Sequence, residues 1–276
     1  MPTRDDHAVG DVFQHHERRD VVGRETRAHG NNRPIVDLAA QPVMDAGLCI
    51  SLYLTHGETR TTFVPVTPKQ YPGEPPLSSG YANTQELWTF PTGRLFLNAS
   101  GHIKEPDQHA ILKLVDALLC RPVAPWPTKA RIGEHPLAGS VVWYRTITRQ
   151  NDDVEAIAVH LDRAGVRGWR PKEPLPCVVL TSPQPFKGGP FPLVTLVPLL
   201  DVAGLVEPSV RFPDGSARSA ITSVLFTIDP TARRGVEGMN GRFIDDCDGR
   251  RSWVTTADEY IEILNDVRKH LLLPPV

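Results

Sequence analysis

Metal-assisted chemistry has its best candidate in Asp245-Asp246-Cys247-Asp248-Gly249, the densest carboxylate cluster, flanked by Arg242, Arg250 and Arg251. Hard divalent cations take oxygen ligands, so this run suits Mg²⁺ or Ca²⁺. With such a cation and a nearby arginine, Asp246 and Asp248 would serve a hydrolase or a phosphoryl-transfer enzyme. The calcium-loop spacing is not met. Placing Asp246 and Asp248 at its third and fifth positions puts Ile244 at the first and Thr255 at the last. The ordinary alternative is a solvated turn whose carboxylates pair with the arginines.

Arg163, Arg167, Arg170 and Lys172 surround Trp169. Cations beside an aromatic ring suit phosphate contacts combined with base stacking, which makes this stretch a candidate nucleic-acid surface. Cations also complement a helix C-terminus, and their stems can cover apolar surface. His102, Asp107 and His109 would form an acid–base pair or a metal site if the junction between a strand and a helix folded back on itself. No spacing enforces that, and polar residues at a helix start explain them as well. His160-Leu161-Asp162 and the Arg24–His29 spacing match fragments of known metal and nuclease motifs without their context. Cys177 begins an apolar run with no base beside it, so a core thiol is the expectation.

Two long connections stand out. Residues 69–86 carry Tyr71 and Tyr81 among Pro72, Gly73, Pro75 and Pro76, and residues 182–192 carry Phe186, Lys187 and Phe191 around Gly188 and Gly189. Long connections inside compact domains are often functional, and aromatics with Gly and Pro suit a binding rim. Lys187-Gly188-Gly189 lacks the phosphate-loop spacing.

The elements that must position these residues read as follows. Leu48–Thr55 and Thr61–Thr67 predict a hairpin, and so do Leu87–Phe90 with Leu95–Ala99. Pro106 and Asp107 open a helix whose face is Ile111, Leu114, Val115, Leu118 and Leu119. Val141–Thr148, a helix from Asp152 and Cys177–Thr181 suggest a β-α-β unit with parallel strands. Leu193–Val202 fits a buried strand or a helix. Val210–Phe212 and Ile221–Ile228 flank the Pro213-Asp214-Gly215 turn, and Arg242–Ile244 with Trp253–Thr255 suggest a last hairpin. Thr256 and Glu259 predict a capping box for a C-terminal helix. The fold class expected is α+β: hairpins and a mixed, mainly antiparallel sheet with about three amphipathic helices. No repeat of 20–50 residues is visible.

Residues 1–43 are polar and broken by glycines, which reads as a disordered tail; translation from Met44 is a second account of it. Residues 44–276 form the body, and Pro122, Pro125, Pro127 and Pro136 mark a place where it would divide into 44–121 and 140–276. A net charge of -2 forces no polyanionic partner. Four cysteines, none in a CxxC spacing, fit reduced core thiols and a cytoplasmic setting. The longest apolar stretch is far short of a membrane span.

The lead expectation is an accessory protein that binds a small ligand or protein partner through loops 69–86 and 182–192. The metal-assisted enzyme at Asp245–Asp248, with a divalent cation as its cofactor, is the first alternative. Nucleic-acid binding through Arg167, Trp169 and Arg170 is the second.

Overall fold

Runs such as Leu48–Leu54 and Val194–Leu200 are apolar at nearly every position, the pattern of strands covered on both faces. The computed structural model describes residues 8–16, 32–55, 63–74, 76–92, 99–119, 122, 125–130, 137–146, 174–181, 194–202, 204–228, 241–244, 246–247 and 250–276. Two curled antiparallel sheets and three helices form an α+β fold.

The first sheet contains β1 (Asp11–His16), β2 (Asn32–Asp37), β3 (Leu48–Thr55), β4 (Phe63–Val66), β5 (Lys69–Gln70), β6 (Gly80–Asn83), β7 (Trp88–Pro91) and β8 (Gly101–His102). Its order is β4-β6-β3-β2-β1-β8-β5, with β7 also on β3. The second contains β9 (Ser140–Thr146), β10 (Leu175–Val179), β11 (Val194–Leu200), β12 (Ser209–Arg211), β13 (Ala217–Ala220), β14 (Phe226–Ile228), β15 (Gly241–Ile244) and β18 (Trp253–Val254). Its order is β12-β13-β11-β10-β9-β15, with β14 on β11 and β18 on β9. A short pair, β16 (Asp246–Cys247) with β17 (Arg250–Arg251), stands apart.

The second half repeats the first. The path β4-β6-β3-β2-β1-β8 corresponds to β12-β13-β11-β10-β9-β18, and β7 corresponds to β14. Registers agree pair by pair: Val12↔Val36 with Val141↔Val178, Val36↔Leu52 with Val178↔Val197, Leu54↔Ala82 with Leu199↔Ala220, and Ser51↔Trp88 with Leu196↔Phe226. Bonds outside the ladders repeat too. Gly10 N–H donates to Asp37 O as Gly139 N–H does to Val179 O, and Ile103 N–H donates to Gly10 O as Thr255 N–H does to Gly139 O. Gly10 and Gly139 both have positive φ, +97° and +80°, a conformation that disfavours side chains. Each half closes with a 14-residue helix, α2 (Glu105–Leu118) and α3 (Ala257–His270). Ile111, Val115 and Leu119 in one match Ile263, Val267 and Leu271 in the other, all fully buried.

The helices start for different local reasons. Pro near the N-terminus and the acids Glu105 and Asp107 favour α2. The predicted Thr256–Glu259 capping box starts α3. The third helix, α1 (Gln41–Asp45), is a single short turn before β3.

Several expectations change. The polar head supplies β1, β2 and α1, and Val12, Phe13, Ile35 and Val36 are fully buried. Their few apolar residues gain burial only by pairing with later strands, so composition hides them; starting at Met44 would remove both strands. β3 and β4 do not pair with each other, because β6 lies between them. β9 and β10 are adjacent and antiparallel, so the parallel unit is not formed. β15 and β18 both pair with β9 rather than with each other. Leu193–Val202 resolves as β11, with every residue from Val194 to Leu200 buried. Pro198 is tolerated there because β11 changes neighbour on one edge, from β14 at Val194–Leu196 to β13 at Leu199–Leu200. The helix expected from Asp152, and the strand expected at Leu95–Ala99 except for Ala99 itself, lie outside the described residues.

Candidate functional site

Because the halves share a backbone plan, each shows what the other's positions need for folding alone. Most equivalent pairs are alike in chemistry. Two of the places that differ gather several polar groups.

The first is a row crossing the first sheet. His102 pairs with Asp11 on β1, and Asp37 pairs with Ser51, which pairs with Trp88. Asp11 stands one step beyond the Val12↔Val36 pair, opposite Asp37. The equivalent row in the second sheet is Val254, Ser140, Val179, Leu196 and Phe226. Asp11 Oδ1 accepts from Tyr71 OH and from His102 Nδ1, each at 3.1 Å, and Oδ2 accepts from Ala8 N–H at 3.0 Å. The carboxylate thus fixes the Nδ1–H tautomer and leaves His102 Nε2 unbonded among the described residues. Asp11 is buried, while the His102 side chain is 33% exposed.

Behind this pair lies Asp37, fully buried. Its Oδ1 accepts from Ala39 N–H at 2.9 Å and from the Cys49 thiol at 3.2 Å, and its Oδ2 has no hydrogen-bond partner among the described residues. Ser51 Oγ lies 2.7 Å from Cys49 Sγ; with the thiol proton directed at Asp37, the serine is the donor. Burial drives the Asp37 carboxyl up to about 7, and the neighbouring Asp11 charge adds to the rise. Burial likewise pushes the Cys49 thiol up, so it is no nucleophile. Tyr71 is raised to about 12 by burial and by the Asp11 charge.

The second place is a groove of about 770 Å³ between α3 and the β12–β13 hairpin. Glu207, Glu259, Glu262 and Asp266 line it, against the cations Arg211 and Lys269. Three of the carboxylates are held. Glu259 Oε1 accepts from Arg211 N–H at 2.8 Å, capping the open edge of β12, while its Oε2 closes the α3 capping box. Glu207 accepts from Ser209 Oγ at 3.0 Å. Asp266 accepts from Thr222 Oγ1, and its carboxyl is lowered chiefly by the hydrogen bond to His270. Glu262 has no partner among the described residues and is exposed. Leu205 and Val206 lie at or next to the groove and are 53% and 59% exposed. The first-half positions equivalent to Glu207, Glu259, Glu262, Asp266 and Lys269 are Phe63, Asp107, Ala110, Leu114 and Ala117, so only Glu259 among the four acids has an acidic counterpart.

The residues singled out in the sequence fall as follows. Tyr71 holds Asp11, and Tyr81 lies on β6 opposite Thr55 and Pro65. His109 is exposed on α2, with no bond to His102 or Asp107 among the described residues. Asp246 pairs with Arg251 along the backbone of β16 and β17. Asp245, Asp248, Arg167, Trp169, Arg170, Phe186, Lys187 and Phe191 lie outside the described residues. Among the described residues no group of three or more His, Cys, Asp or Glu is arranged to hold a metal ion, and no helix is long and apolar enough to cross a membrane. Cys177 is buried with its thiol pushed up by burial. Sequence reasoning passed over Asp11, Asp37 and Glu262. For Asp37 a signal existed: a carboxylate directly between Ile35-Val36 and Leu38, inside an apolar run with no turn residue.

No protein-family model matches the chain, and no curated protein matches it significantly.

Proposed function

We propose that the chain is a partner-binding protein that takes a basic protein segment into the groove between α3 and β12. The observation that supports this most is the set of four carboxylates around a groove edged by exposed Leu205, where the equivalent first-half positions keep only Asp107 as an acid. Three carboxylates are already oriented by internal hydrogen bonds, which reduces the ordering cost of binding. Lys or Arg on the partner would meet Glu262 and its neighbours, and an adjacent apolar side chain would cover Leu205 and Val206. Such an arrangement gives salt-dependent affinity and selection against acidic segments. The class of function is the one the sequence suggested, but its place differs from loops 69–86 and 182–192.

A fluorescent peptide alternating Lys and Leu, and its Glu–Leu counterpart, test this by anisotropy on the full chain. The basic peptide should bind at least tenfold tighter, weaken as salt rises, and lose most of its affinity in the double variant E262K/L205D. Equal affinity for both peptides, or binding unchanged by the double variant, would reject the reading.

A further inference from the structure

The polar row of the first half has no role in the groove, and folding does not require it, since Val254, Val179 and Leu196 fill the same positions in the second half. Its carboxyls face each other across adjacent strands, and like charges at such positions disfavour joint ionisation. Asp11 receives three donors, from Ala8, Tyr71 and His102. Asp37 receives the Ala39 N–H and the Cys49 thiol, with the Leu38 N–H contributing last, and among the described residues its Oδ2 is unpartnered and no Lys, Arg or His is bonded to it. The titratable groups facing it are Asp11 from β1 and Cys49 from β3, with Tyr71 and His102 beyond Asp11.

We propose that this row is a proton-gated latch: Asp37 carries a proton while the β1–β8 junction is closed, and losing it loosens β1, β8 and the Tyr71 loop together. The junction is one connected set of backbone bonds. Gly10 N–H donates to Asp37 O, Ile103 N–H to Gly10 O, Ser100 N–H to Val12 O and Tyr71 N–H to Ser100 O. A second negative charge at Asp37 repels Asp11 at the centre of this set and is bonded to no cation among the described residues. Opening lets both carboxylates reach water. Acid therefore closes the latch and neutral pH loosens it, which puts the Tyr71 loop under pH control.

The second half supplies the control, because Gly139 N–H and Thr255 N–H make the equivalent bonds around Val179. Amide hydrogen exchange of the full chain at pH 5 and pH 7.5, corrected for intrinsic rates, reads the opening of each set. A carboxyl that titrates near 4 when open and near 7 when closed raises opening by up to tenfold per pH unit between those values. Amides of Gly10, Tyr71, Ser100 and Ile103 should open roughly 50- to 100-fold more at pH 7.5, while those of Gly139 and Thr255 do not change. In D37N the first set should become as flat as the second. D37V, which copies the second half, should behave like D37N if the asparagine variant does not fold. Equal pH dependence of both sets in the unaltered chain, or a slope that survives in a folded position-37 variant, would overturn the latch.

Discussion

Thr89 and Thr227 occupy equivalent positions in the two halves, and each hydroxyl donates to a backbone carbonyl of the other half. Thr89 Oγ1 reaches Ser223 O at 2.9 Å, and Thr227 Oγ1 reaches Leu87 O at 2.8 Å. Thr89 N–H also donates to Leu225 O, and Leu225 N–H returns a bond to Thr89 Oγ1. Trp88 and Phe226, again equivalent, meet edge to face at 6.3 Å. Reciprocal contacts of this kind are what a two-fold relation produces between copies of one unit. Here both copies lie in one chain, and their apolar residues join one buried cluster.

Valine at either threonine keeps the shape and removes the bond. T227V leaves one buried carbonyl without its donor and should cost about 1–3 kcal/mol. T89V also strands Leu225 N–H and should cost more. Urea denaturation measures both, and their effects should be non-additive because they share the same junction. A cost below about 0.5 kcal/mol for T89V would mean that the crossing bonds do not hold the halves together.

Asp37 makes global stability depend on pH. Its folded value near 7 stands above the unfolded value near 3.9, so the folded chain binds more protons between those two pH values. The contribution is present in full below about pH 4, is lost progressively as pH rises to about 7, and is constant above that. The total is on the order of 4 kcal/mol for an isolated group. D37N keeps an acceptor for Ala39 N–H and removes the charge, so it should flatten the slope and raise the melting temperature at pH 8. D11N should move the Asp37 transition to lower pH, since the Asp11 charge contributes to its rise. Parallel stability–pH curves for D37N and the unaltered chain between pH 4 and 7 would contradict this.

Arg268 lies on α3 at the position equivalent to Asp116 on α2, and the two form an ion pair between the halves. The arginine is fully buried and its Nε donates to Pro274 O at 2.5 Å, while Nη2 has no partner among the described residues. Removing one member of a buried pair strands the other charge, so D116N should destabilise by roughly 3 kcal/mol. R268M removes the charge and keeps much of the volume, and it should restore most of that loss in the double variant. Thermal unfolding of the three variants decides it. Additive losses would show that the pair is not coupled.

The helices were legible because their signals are local. Pro106 with Asp107, and Thr256 with Glu259, mark starts that depend on residues one turn away, and the 3.6-residue spacing of Ile111 and Val115 or Ile263 and Val267 marks their buried faces. The strands β3 and β10 were legible from their apolar runs, whereas the run that became β11 fitted a helix equally well. Which strand joins which was not. The hairpin expected between Leu48–Thr55 and Thr61–Thr67 admits β6 between its arms, a pairing between residues well separated in sequence, such as Leu54 with Ala82.

The duplication escaped for a related reason. Connections of different length shift the spacing between equivalent residues from 129 at Gly10 and Gly139 to 152 at Ile111 and Ile263. Equivalent pairs that stay identical, such as Val36 and Val178 or Leu87 and Leu225, are scattered core positions with no local pattern. By itself, then, the order of residues settled the α+β class, two of the three helices and the apolar strands, since propensity and periodicity act over a few residues. The tertiary structure alone made β1 and β2 part of a sheet, set Asp37 against Asp11, and gathered Glu207, Glu259, Glu262 and Asp266 around one groove. Those relations are long-range pairings, and only the closing of the sheets brings their partners together.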